Sequence, residues 1–211
     1  MERHLRRDAL ARAGVKIDGE AERFAVPPSV YRFFDAAVEA DWSQAGFWYA
    51  VRFLGNGVEV CGLNENSAQG DRVVKDLLER FKAAGEQSVD VSDCPDLLPP
   101  LAVMAARREG TTHFVNAARL RMKESDRLTT TAALLRALGV PAEETADSLT
   151  VRGMPSFSGG TVDGANDHRI VMAAATAAAA PVTVTGAEAV RKSYPSFWEE
   201  YKRLGGSFDV L

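Results

Sequence analysis

Cysteine is scarce: Cys61 and Cys94 are the only two in 211 residues. They cannot build a disulfide framework, and their spacing fits no zinc-binding pattern, so no metal site is expected. A reducing compartment suits such a chain, and a cytoplasmic location is expected. Long apolar runs are lacking too. The longest, Ile170 to Val182, is mostly alanine and falls short of the ~20 residues a membrane span requires. The opening stretch, MERHLRRDALARAG, lacks the apolar region of a secretory signal. Positive charge is not in excess either: 25 Lys and Arg against 29 Asp and Glu leave a net charge of −4. A general nucleic-acid binder needs a basic surface, so neither nucleic acid nor membrane is an expected partner. The length suits one large domain or two small ones.

What is present is a loose internal repeat. Four amphipathic segments end on a glycine: Asp8–Gly14, Leu77–Gly85, Ala132–Gly139 and Phe197–Gly205. Glycine just past a helix takes the left-handed conformation that stops it. Helical spacing puts Val73, Val74, Leu77, Leu78 and Phe81 on one face, Leu128, Ala132, Leu135 and Leu138 on another, and Phe197, Tyr201 and Leu204 on a third. Alternating with these are segments apolar on nearly all sides: Ser43–Leu54, Leu98–Ala106 and His168–Ala180. A helix of that kind is expected to be buried. A β-like run follows each of them, at Gly57–Cys61, Thr111–Asn116 and Pro181–Thr185, and the Gly/Ser-rich Gly153–Asn166 reads as a loop. The expected architecture is α/β, with buried central helices wrapped by sheets and outer helices. Residues 1–38 read as the trailing half of an earlier unit.

Polar groups gather where these helices begin. Arg119–Arg127 reads RLRMKESDR, between a strand and an amphipathic helix, with Ser125 as a candidate cap. Two readings are open: a small-anion pocket at a helix start, or a solvated turn with surface ion pairs. Arg169, in Asn166-Asp167-His168-Arg169, opens the alanine-rich buried helix. An arginine there is costly unless it meets an anion or a carboxylate. Lys192 occupies in its repeat the slot that Lys123 occupies in another. Asp96 stands ahead of a buried helix, as a cap or as a general base, and Ser43 reads as a cap for the first buried helix. Units packed alike would bring these starts to one side. The rim would then be positive and contain two carboxylates, Asp96 and Glu124, which suits binding small di-anions and moving a proton between reactants.

The segments RLRMKESDRL, NDHRIVMAAA, KSYPSFWEEYKRLGG, CPDLLPPLAVMAA and VEADWSQAGFWYA, in that family's order, resemble the C-terminal half of the 5-enolpyruvylshikimate-3-phosphate synthases (3-phosphoshikimate 1-carboxyvinyltransferases). The resemblance implies one domain of a two-domain enolpyruvyl transferase fold, made of repeated βαβαββ units around buried parallel helices. It divides the chain into residues 1–38, the trailing part of the N-terminal domain's last unit, and residues 39–211, a C-terminal domain with an incomplete final unit. It implies a reaction in which the 5-hydroxyl of shikimate 3-phosphate attacks C2 of phosphoenolpyruvate. A proton adds at C3, and phosphate leaves from a tetrahedral intermediate. No metal or organic cofactor is implied.

Carried over residue by residue, Asp96 matches the proton acceptor at the shikimate hydroxyl, and Glu124 the carboxylate that handles the proton at C3. Lys123 matches a shikimate 3-phosphate contact, and Arg127, Arg169 and Lys192 the cations on phosphoenolpyruvate. His168 lies beside the site, and Arg119 stands where some members face shikimate with Asn. Trp42-Ser43-Gln44 departs from the family's small pair. The resemblance also implies that the other domain, with further phosphoenolpyruvate and shikimate 3-phosphate contacts, is missing from this chain, which alone is expected to be inactive. Two alternatives remain: a non-catalytic half-enzyme or interaction module, and a relative of the UDP-sugar enolpyruvyl transferases.

Overall fold

The computed structural model describes residues 2–19 and 23–211. After α1 (Glu2–Arg12) comes an irregular stretch, then α2 (Trp42–Phe53), α3 (Val74–Phe81), β1 (Gln87–Asp90), α4 (Leu98–Ala105) and β2 (Thr111–Val115). There follow α5 (Arg127–Ala137), β3 (Ala142–Glu144), β4 (Leu149–Arg152), β5 (Gly160–Asp163), α6 (His168–Thr176), β6 (Val182–Thr185) and α7 (Phe197–Arg203). Short 3-10 turns at Gly70–Val73, Pro95–Leu97, Ala118–Met122 and Ala187–Lys192 lead into or link these elements. No helix among the described residues is long and apolar enough to cross a membrane.

The apolar helices are the centre, as their composition requires. Every residue of α4 is buried, and α2, α4 and α6 pack against one another. Their starts lie at one end of the domain. Arg169, the second residue of α6, reaches Asp96, just ahead of α4. Gly46, in the first turns of α2, lies against the start of α4, where a Cβ would come within 2.7 Å of Leu97 Cδ2. Any side chain at 46 would push the two helices apart. The helices therefore run parallel. Asp41 caps α2 by accepting from the Ser43 and Gln44 N–H groups, and Asp167 caps α6 by accepting from the Arg169 N–H. Early in α4, Pro99 and Pro100 occupy positions where a missing N–H costs nothing.

Around this centre the repeat is complete once. The order β1, α4, β2, α5, β3, β4 is a βαβαββ unit. Its sheet has the strand order β1-β2-β4-β3, with β1 and β2 parallel and the other pairs antiparallel. Leu128, Ala132, Leu135 and Leu138 are buried together, as the spacing predicts, and Gly139 stops α5 at φ 79°. The next unit gives β5, α6, β6 and α7, with β5 and β6 a parallel pair, and has no regular structure after α7. The final helix face is weaker than its spacing suggests: Phe197 is buried, Tyr201 partly so, and Leu204 exposed.

Several elements differ from expectation. Gly57–Cys61 forms no strand, because no neighbouring backbone pairs with it among the described residues. The expected loop Gly153–Asn166 contains β5, which its pairing with β6 creates. A further strand, β1, arises from the polar-looking Gln87–Asp90 because it lies beside β2. Helix α6 ends at Thr176 rather than Ala180, with Ala178 and Ala179 exposed. Asp41, not Ser43, caps α2, and the Ser43 hydroxyl instead donates to the buried carboxylate of Asp71.

Asp71 has one oxygen bonded to Ser43, while its Oδ1 has no partner among the described residues. Burial pushes this carboxyl up to about 6, partly opposed by the Ser43 hydrogen bond. The unfolded group ionises near 3.8, so between that value and about 6 the folded state holds the extra proton. The stability gained from that proton is present below pH ~4 and lost as pH rises through ~6, with a ceiling of about 3 kcal/mol. Asp71→Asn should therefore gain on the unaltered chain between pH 4 and pH 7 in urea melts. A difference that does not change with pH would count against this.

Candidate active site

The RLRMKESDR stretch divides by direction. Arg121 turns outward and is held by Asp126 at 2.7 Å and Glu144 at 3.4 Å. Arg119 is exposed and makes no hydrogen bond or ion pair among the described residues. Lys123 is in an extended conformation, and α5 begins at Arg127. The cap of α5 is Asp126, which accepts from the Thr129 N–H at 3.1 Å, rather than Ser125. Asp126 stands immediately before the first helical residue, where a side-chain oxygen reaches the open N–H groups. Ser125 instead donates to Asp167 Oδ2 at 2.9 Å.

Arg127 is the centre of the site. Its side chain is 1% exposed. Nη1 donates to Asp96 Oδ1 at 2.7 Å, Nε to Asp167 Oδ2 at 3.0 Å, and Nη2 to Asp167 Oδ1 at 3.2 Å and to Glu124. A guanidinium offers its donors in a planar fork, which lets one side chain hold three carboxylates. Asp167, fully buried, would have its carboxyl pushed up by burial, but the Arg127 hydrogen bonds outweigh that and hold it below the usual carboxylate range.

Asp96 lies in the 3-10 turn before α4 and makes no capping hydrogen bond. Its oxygens face Lys123 Nζ at 3.2 Å, Arg127 Nη1 at 2.7 Å and Arg169 Nη2 at 3.2 Å. Burial pushes this carboxyl up, yet Arg169, Lys123 and Arg127 together hold it below its ordinary value. Arg169 thus meets the carboxylate that its place at a buried helix start demands. Glu124 is the most exposed of the three acids and faces His168 Nδ1 at 3.8 Å. Burial, with Arg169 beside it, pushes the His168 imidazole below its ordinary value, so it is neutral near pH 7. Its Nδ1 has no hydrogen-bond partner among the described residues.

Lys192 reaches the same end by another route. Its Nζ donates to the Asn166 carbonyl at 2.6 Å, one residue before Asp167. That carbonyl is aimed by a left-handed pair, Ala165 at φ 50° and Asn166 at φ 53°. Asp96, Lys123, Glu124, Arg127, His168 and Arg169 are thus brought together, with Lys192 at their edge and Arg119 apart.

Oxygens of Glu124 and Asp167 and a ring nitrogen of His168 lie within 4.8 Å of one another, a spacing a metal ion could use. Both carboxylates are already bonded to Arg127, whose charge a cation placed there would meet at close range. Asp167 and Ser125 are the members that sequence reasoning missed. Asp167 carries the signal of a helix cap, and it does cap α6; that it also grips Arg127, 40 residues away in sequence, is purely tertiary.

With this geometry in hand, comparison with known proteins gives a consistent answer. The sequence model of the EPSP synthase family (3-phosphoshikimate 1-carboxyvinyltransferase) matches residues 1–201. A 3-phosphoshikimate 1-carboxyvinyltransferase of Clostridium kluyveri is 39% identical over 96% of this chain and 52% of its own length. That of Clostridium acetobutylicum is 41% identical over 94% and 51%. The chain spans about half the length of the curated relatives it matches. Among solved structures, EPSP synthase from Acinetobacter baumannii superposes with a TM-score of 0.78 at 25% identity, over 96% of this chain and 54% of that one. The enolpyruvyl transferase NikO from Streptomyces tendae, at 20% identity and a TM-score of 0.66 over 95% and 52%, shares the fold.

Removing Arg127 leaves the buried Asp167 without its charged partner and takes one partner each from Asp96 and Glu124. Arg127→Met should destabilise the chain by about 3–5 kcal/mol at pH 7. The loss should shrink on acidification, as the stranded groups take up protons. Urea melts at pH 7 and pH 4 measure both, and a cost below about 1 kcal/mol at pH 7 would contradict the central role of this residue.

Proposed function

This chain belongs to the EPSP synthase family, and on that premise we propose that it serves in transferring the enolpyruvyl group of phosphoenolpyruvate to the 5-hydroxyl of shikimate 3-phosphate, with release of phosphate. The activity needs the complementary half that the relatives' length includes. In this reading residues 39–211 are the C-terminal domain and residues 1–38 the end of the preceding one. The division is supported by the irregular stretch between α1 and α2. The reading places the protein in the cytoplasm and uses no metal or organic cofactor.

One observation carries the proposal: Asp96 is held jointly by Lys123 and Arg127, from the approach to α5, and by Arg169, from the start of α6. Those cations keep Asp96 ionised and make it a weak base. Anionic substrates would draw on the same cations. Their negative charge would relieve the hold on Asp96 and raise its basicity as the hydroxyl arrives. Asp96 then accepts the hydroxyl proton. Glu124, opposite neutral His168, gives a proton to C3 from its protonated form as the hydroxyl oxygen bonds to C2, and takes one back from C3 as the C2–O bond to phosphate breaks. Lys123 takes the phosphate of shikimate 3-phosphate. Arg127, Arg169 and Lys192 hold phosphoenolpyruvate and the charge that develops on its phosphate as the bond breaks. Cations held in place by protein contacts stabilise that charge without reorganising, provided water is excluded. The complementary half would supply that exclusion and the remaining positioning.

A second reading is a non-catalytic interaction module. It draws on the apolar side chains left exposed between α1 and α2, where Val30, Phe33 and Val38 are 86%, 95% and 98% exposed. A UDP-sugar acceptor is a third, separated by offering each acceptor in turn.

Mixing the chain with the N-terminal half of the Clostridium kluyveri relative and assaying phosphate release tests the proposal. Activity should appear only in the mixture and only with shikimate 3-phosphate. Glu124→Gln, which keeps an oxygen acceptor for Arg127, should lower kcat in that mixture by about 10²–10⁴-fold. Phosphoenolpyruvate should also shift the side-chain NMR signals of Arg127 and Arg169 in the chain alone. No shift at either residue would sink the proposal, and a self-associated species indifferent to the other half would favour the interaction module.

A further inference from the structure

The Lys192 loop is gripped from an unexpected direction. Gln44 belongs to the first turn of α2 and is 149 positions distant in sequence from Ser193, yet its Nε2 donates to the Ser193 carbonyl at 2.7 Å. One turn along the same face, Trp48 donates Nε1–H to the Tyr194 hydroxyl at 3.3 Å, and its ring stacks on Phe197 at 5.6 Å. Residues at i and i+4 share a helix face, so one face of α2 holds two consecutive residues of the loop. The loop closes on its own side as well: the Ser193 and Tyr194 N–H groups both reach the Val190 carbonyl, at 3.2 and 2.8 Å. The Ser193 hydroxyl has no partner among the described residues, so the anchor runs through its backbone. Lys192 sits immediately before these anchored residues, and its ammonium is directed at the Asn166 carbonyl, next to the Asp167–Arg127 pair.

We propose that Gln44 is a positioning residue, assisted by Trp48: by fixing the Ser193 carbonyl it sets the direction of Lys192, and through Lys192 the affinity of the site for a phosphate-bearing anion. The inference rests on the anion-binding reading of the site. Lysine is a compact charge on a flexible stem, and its contribution depends on how much of its freedom is removed before the anion arrives. An unanchored loop would let the ammonium leave the mouth. The 3-10 turn that ends at Lys192 is short and exposed at that residue, so it cannot hold the side chain by itself.

A double-mutant cycle on the full 211-residue chain, read by inorganic phosphate titration, decides the matter. Lys192→Ala should weaken phosphate binding about tenfold, as loss of one charge-assisted contact does. Gln44→Met keeps the length of the side chain and removes its donor. It should weaken binding about fivefold, the equivalent of one ordinary hydrogen bond. The double variant should bind no more weakly than Lys192→Ala alone, because Gln44 acts only through that lysine. Trp48→Phe, which removes a single donor, should give a smaller loss in the same direction and guards against misfolding of the first variant. A role confined to fold stability would lower the melting temperature without this non-additivity. Phosphate binding unchanged by Gln44→Met and Trp48→Phe, or losses that simply add in the double variant, would overturn the inference while leaving the anion site standing. An unaltered chain that takes up no phosphate would overturn the anion-site reading and this inference with it.

Discussion

A guanidinium shut away from water must find acceptors for its donors, and at Arg127, where those acceptors are carboxylates, this requirement organises the polar end of the domain. Its partners come from the turn before α4, the approach to α5 and the cap of α6. Three chain segments widely separated in sequence are thereby bound to one planar group. The cost of burying such a charge is offset only when each of its nitrogens finds a well-placed acceptor. Arg127 uses Nε and both terminal nitrogens. The helix starts cannot drift without leaving a buried charge exposed to nothing, so the polar end of the domain inherits the precision of the apolar core beneath it.

Much of this was legible in the sequence, and the part that was not has a physical reason. Apolar-all-round segments and terminal glycines are local signals, and they gave α2, α4, α6 and the stops of α1, α5 and α7, whereas α3 ends at Phe81, well before Gly85. Strand pairing is not local. Gly57–Cys61 has the residues of a strand and no partner, while Gly160–Asp163 lies in a glycine-rich stretch and becomes a strand because Val182–Thr185 runs beside it. At the site, Asp96, Lys123, Glu124, Arg127, Arg169 and Lys192 were marked by their places at helix starts, although their assigned chemistry came from resemblance to a family. Asp167 and Ser125 escaped because each has a satisfactory local reading as cap or loop. Asp71 escaped because nothing in its neighbours along the chain announces burial.

The cluster is balanced within a single half of the family's length. Lys123, Arg127 and Arg169 already have carboxylate partners, so this end of the domain is formed before any substrate or second domain reaches it. Such a surface is preorganised but not exposed as bare charge, which limits indiscriminate anion uptake. On the proposed reading, an incoming di-anion would have to compete with Asp96, which favours ligands that place charge at several points at once. Selectivity in this arrangement comes from multiplicity of contact rather than from the strength of any one pair.

The composition of α6 has a dynamic corollary. Behind His168 and Arg169 the helix continues through Ala173, Ala174 and Ala175, all buried against the neighbouring helices. Alanine has no side-chain torsion between alternative wells, so this stretch of the interior has no conformers to exchange. Thermal hopping of large side chains, which elsewhere loosens a helix by fractions of an ångström, has little purchase here. Between Arg169 and the alanines stand Ile170, Val171 and Met172, so the methyl-lined stretch steadies the far half of α6, and the polar end is steadied by its carboxylate partners instead.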